Sequence, residues 1–156
     1  MERVIRLNQR IGIAAAAVLL ALSAGAAEQA VLPMKVESEI NAVSVELTSV
    51  QKTGDTLTVK WKYISTGDKD TGKLFNQMGG QIEDKVYYID TKNKKKYLVV
   101  RDSENHPVIS AVHDLRLAPG ETKNCWAKFP APPADVTAIA VYIPGAPPFE
   151  NVAVAE

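Results

Sequence analysis

Along much of this chain apolar residues recur at every second position, the pattern of a strand with one face against a core. Val43, Val45 and Leu47 alternate with Ser44, Glu46 and Thr48, and Leu57, Val59, Trp61 and Tyr63 alternate with Thr58, Lys60 and Lys62. Between the two runs, Lys52-Thr53-Gly54-Asp55 has turn chemistry, because Gly tolerates positive φ and Asp can bond its own backbone. The pair predicts a hairpin with a shared apolar face. Val86-Tyr87-Tyr88-Ile89 and Tyr97-Leu98-Val99-Val100, joined by the lysine-rich Asp90 to Lys96, predict a second. Further strands are expected around Trp126 and Phe129, through Ile139, Val141 and Ile143, and at Val152 and Val154. Leu74, Phe75 and Met78 have helical spacing, but Gly79-Gly80 limits them to a short turn at the sheet edge.

Seven to eight short strands, turn signals between them and no long helical stretch predict an all-β fold. Two antiparallel sheets packed face to face, an immunoglobulin-like β-sandwich, suit this spacing best. Trp61, Tyr63, Trp126 and Phe129 are the expected core aromatics, since large rings dominate burial in a small sandwich. The predicted layout is a signal peptide at 1–26, an irregular N-terminal arm at 27–40 and the sandwich domain at 41–156. The arm earns that description from Glu28 to Glu39, which lack periodicity and contain Pro33.

The first segment has the three parts of a secretory signal. Arg3, Arg6 and Arg10 face a single acid, Glu2; an apolar run follows from Ile11 to Leu22; then come Ser23-Ala24-Gly25-Ala26-Ala27. The run is shorter than the ~20 residues a spanning helix needs, and small residues at Ala24 and Ala26 suit a signal peptidase. Cleavage after Ala26 is expected, which implies a periplasmic or extracellular protein with no stable membrane insertion.

Removing 1–26 takes away three arginines and one glutamate, so the formal charge falls from zero to −2. A nucleic-acid partner, which wants a basic stripe, is not expected. The single Cys125 cannot form a disulfide within the chain. Its neighbours Asn124 and Trp126 bring no basic group to activate it, so a buried strand position is expected rather than a reactive thiol. His106 and His113, with Glu104 and Asp114 beside them, are two side chains where zinc wants three or four converging ligands. Asp68-Lys69-Asp70-Thr71-Gly72 opens like a calcium loop, but Gly79 stands where the bidentate Glu belongs. No Gly-x-Ser-x-Gly elbow accompanies the histidines. No catalytic residue, metal site or cofactor is therefore expected.

Tyr87 and Tyr88 are adjacent, so one should face inward and one outward. With Pro147, Pro148 and Phe149 after the Pro-rich break, they form the expected partner-contact surface.

Several stretches resemble one group of bacterial proteins. They are Leu117-Ala118-Pro119-Gly120-Glu121-Thr122, then Trp126 through Val136 with its Pro130-Ala131-Pro132-Pro133, and Ile143 through Val152. Leu57 to Trp61 and Lys96-Tyr97-Leu98 are similar to the same group. Its members are secreted Ig-like domains of poorly defined function, found alone or ahead of OmpA-like peptidoglycan-binding domains. The resemblance implies an exported, non-enzymatic envelope module that binds another envelope protein or cell-wall material. A structural subunit assembling through its arm and sheet edges is the rival reading, and a thiol enzyme using Cys125 a third.

Overall fold

A computed structural model describes residues 29–76, 78–79 and 81–156. The signal-peptide expectation at 1–26 lies outside the described residues. Within them eight strands form two four-stranded antiparallel sheets. The first sheet is β1 (Met34–Glu37), β2 (Val43–Thr53), β3 (Thr56–Ser65) and β6 (Thr122–Pro130), in that order. The second runs β5 (Lys95–Leu98), β4 (Tyr87–Asp90), β7 (Ala138–Tyr142) and β8 (Phe149–Ala153). The chain changes sheet between β3 and β4, between β5 and β6, and between β6 and β7. These crossings give the Greek-key wiring of an immunoglobulin-like sandwich.

The β2–β3 hairpin forms where expected. Gly54, at φ 58°, opens its tight turn, a conformation that matches the twist of hairpin strands and costs other residues dearly. Val43, Val45 and Leu47 face inward; a bulge between Leu47 and Ser49 then resets the alternation so that Val50 turns inward too. From β3, Leu57, Val59, Trp61 and Tyr63 enter the same layer. The opposing sheet contributes Tyr88, Tyr97, Ile139, Val141, Phe149 and Val152.

Two expectations about elements are corrected. The arm at 27–40 is not irregular throughout, because Met34–Glu37 pair in register with Glu37↔Ser44 through Met34↔Leu47. Met34 and Val36 lean on the core while Lys35 and Glu37 face solvent, so two apolar residues sufficed to dock a four-residue edge strand. Trp126 is also not core. It is 39% exposed, because on β6 the inward set is Cys125, Ala127 and Phe129, and a residue three before Phe129 must point the other way. The short turn expected at 73–82 is present near Leu74–Asn76, with a 3-10 turn following at Ile82–Lys85.

Candidate functional surface

The outer face of the β5–β4–β7–β8 sheet carries side chains that core packing does not account for. In β4 the alternation sends Tyr88 and Asp90 inward and Tyr87 and Ile89 outward. Tyr87 pairs across the ladder with Tyr142 of β7 on one side and Leu98 of β5 on the other. The Tyr87 and Tyr142 rings stack at 4.5 Å between centroids and 14° between planes. Lys96 places its Nζ 3.6 Å from the centroid of Tyr87, a cation–π contact on that ring. Leu98 is 50% exposed. The result is a row of ammonium, two rings and an aliphatic side chain. A shallow groove continues from it past Tyr142, lined by Ile89, Thr91, Ala140, Glu150 and Asn151. Stacked face to face, the two rings hold each other upright on the sheet surface.

The five expected contact residues separate into two groups. Tyr87 is half-buried on this face, and Pro147 and Pro148 are exposed in the loop that leaves β7 just beyond Tyr142. Tyr88 and Phe149 belong to the core instead. The Tyr88 ring stacks on Tyr97 at 4.5 Å and meets Phe129 edge-on at 5.5 Å. Its hydroxyl donates to the Pro130 carbonyl at 2.8 Å, and burial pushes its pKa well up. Phe149 faces inward as the first residue of β8 and pairs with Val141. Sequence reasoning placed Phe149 by its Pro-rich flank, yet a proline pair can end a loop without exposing the next side chain. It did not single out Tyr142 or Leu98, and it left Lys96 in the lysine-rich loop, whereas Lys96 lies in β5. The signal for Tyr142 was available: inward Ile139, Val141 and Ile143 leave Tyr142 on the other face.

The remaining candidates have local explanations. Cys125 is buried, and burial pushes its thiol up to about 11, with the Ser110 side chain acting weakly the other way. His106 Nδ1 stands 3.6 Å from both Asp102 and Glu104. His113 lies elsewhere, with Nδ1 3.3 Å from Glu83 and Nε2 3.5 Å from Asp114. Among the described residues no three His, Cys, Asp or Glu side chains are grouped to hold a metal ion. In the 68–72 loop the Asp70 carboxylate accepts from the Gly72 N–H at 2.7 Å, a turn-forming contact. Part of the lysine cluster is engaged within the chain. Lys92 pairs with the Asp135 carboxylate at 2.6 Å and holds that carboxyl below its usual range, and Lys96 lies on Tyr87.

No protein-family model matches the chain, and no curated protein matches it. Among solved structures it is similar to the 1.5 Å crystal structure of MPT63, a secreted protein from Mycobacterium tuberculosis. That likeness has a TM-score of 0.42 at 9% sequence identity, and it covers 76% of this chain and 91% of the other.

Proposed function

We propose that this protein is an exported, non-enzymatic module of the bacterial cell envelope, holding another envelope protein or cell-wall material on the outer face of its second sheet. Export is supported by the basic, apolar and small-residue sequence of 1–27 and by the resemblance of the chain's last third to secreted bacterial domains. The observation that carries the binding reading is the Lys96–Tyr87–Tyr142 row beside half-exposed Leu98. Aromatic rings flanked by an aliphatic side chain and a cation are the composition of contact surfaces, where charged residues are sparse at the centre. A binding role also suits a thiol held protonated by burial, which makes Cys125 a poor nucleophile.

The test is a photo-crosslinking side chain at position 98 in cells, together with sedimentation of the purified protein with isolated peptidoglycan. A specific crosslinked partner or co-sedimentation, lost on Tyr87→Ala with Tyr142→Ala, is the expected result. Retention of the protein in the cytoplasm with its N-terminal segment intact would contradict export. Neither crosslink nor co-sedimentation would contradict the binding face.

A further inference from the structure

We propose that a second copy of this chain pairs with the free edge of β1, joining the two first sheets into one antiparallel sheet about a two-fold axis at Val36. The proposal rests on which peptide groups of β1 are already used. Ser38 N–H donates to the Val43 carbonyl at 3.0 Å, so in this ladder the even-numbered residues Met34 and Val36 turn their peptide groups toward β2. The peptide groups of Lys35 and Glu37 therefore point outward. Among the described residues nothing bonds to them on that side.

The open stretch has definite ends. Pro33 has no N–H to offer, and Glu39 already donates to the Gly145 carbonyl at 2.8 Å. Two of the other three edges are covered: Val100 and Val108–Ser110 run along β6, with Lys128 N–H donating to the Val108 carbonyl at 3.0 Å, and Ala30 donates to Asn151 beside β8 at 2.8 Å. β1 is thus an edge with two outward-facing residues and nothing described lying over them.

Charge then selects the occupant and the register. In an antiparallel pair of identical strands, outward-facing residues must oppose one another, which leaves three registers. Lys35 against Lys35 or Glu37 against Glu37 sets like charges face to face, which is destabilising. Lys35 against Glu37, with Val36 on the axis, gives two opposite-charge pairs and four backbone hydrogen bonds. Both side chains are exposed on the same face of the sheet and free to meet. So short a ladder implies a weak dimer, with a dissociation constant on the order of 10⁻⁴ M or weaker.

The test is sedimentation velocity of the full chain, purified as the cell processes it, across a concentration series. The wild type should shift toward dimer mass as concentration rises. Lys35→Glu and Glu37→Lys should each weaken association at least tenfold, and their equimolar mixture should restore it. The double variant, with both charges exchanged, should dimerise like the wild type. In hydrogen exchange on the wild type, the Lys35 and Glu37 amides should gain protection only at high concentration, while those of Met34 and Val36 are protected at all concentrations. That measurement stands even if a variant folds poorly. A chain that stays monomeric at the highest concentrations, single variants that associate like the wild type, or Lys35 and Glu37 amides indifferent to concentration would each overturn the proposal. The β1 edge belongs to the sheet opposite the proposed partner face, so the two readings fail separately.

Discussion

Three buried groups with ionisable protons tie the interior of this sandwich to pH. Cys125 has its thiol pushed up to about 11, and Tyr63 and Tyr88 have their hydroxyls pushed well above the usual tyrosine range, all mainly by burial. Each is an acid whose folded pKa lies above its unfolded value, so the folded state holds its proton longer. Stability is fully present below the unfolded thiol pKa, near 9, and falls as pH climbs toward 11. Cys125 alone implies a loss on the order of 2–3 kcal/mol across that window. Urea unfolding at pH 7, 9 and 11 should show a midpoint that drops only over the alkaline half, and Cys125→Ala should flatten part of the drop. A midpoint insensitive to pH above 9 would contradict the burial of all three. Tyr63 adds a buried hydrogen bond, its hydroxyl donating to the Pro144 carbonyl at 2.9 Å. Tyr63→Phe should therefore cost about 1–3 kcal/mol through the carbonyl left unpaired.

At the scale of the element, strand phase decides which aromatic matters. Trp61 on β3 is 1% exposed and Trp126 on β6 is 39% exposed, although both sit in strands and pair through neighbouring registers, Trp61↔Cys125 and Lys60↔Trp126. Trp61→Ala should cost about 3–5 kcal/mol through lost burial and a residual cavity. Trp126→Lys should stay within about 0.5 kcal/mol, and paired thermal melts of the two variants would show it. Equal destabilisation by both would mean that β6 is registered one residue away from its observed position, since a one-residue slip exchanges the two faces of a strand. The same parity argument explains the pair Tyr87 and Tyr88, of which one enters the core and the other joins the outer row. Periodicity announced that one of these tyrosines would face inward. Which one depended on the phase of β4 against β7, where Tyr88 meets Val141 and Tyr87 meets Tyr142.

At the scale of the whole molecule, segments flanking the outermost strands tie the two sheets together. Before β1, Ala30 bonds Asn151 alongside β8; after β8, Ala155 accepts from Lys52 N–H at 2.7 Å and donates to the Val50 carbonyl at 3.1 Å. Removing residues 27–39 should therefore do more than trim an arm, because β2 would become a bare edge and Met34 and Val36 would leave the core. The truncated protein should melt several degrees lower and aggregate on heating, and an unchanged melting temperature would show the segment to be dispensable. From its sequence alone this protein had its class determined: period-two burial in Val43–Leu47, Leu57–Tyr63 and Ile139–Ile143 is a local property, and hairpin turns at Gly54 and after Asp90 need only neighbouring residues. The buried strand position of Cys125 was equally legible, since it depends on side chains close in the chain. Tertiary structure alone decided how strands from distant segments met. It made an edge strand of Met34–Glu37, turned Trp126 out and Phe149 in, and brought Lys96, Tyr87 and Tyr142 into one row from three strands. The physical reason is that alternation fixes two faces for each strand, while only the partner across the ladder determines which face is buried and which residues stand side by side.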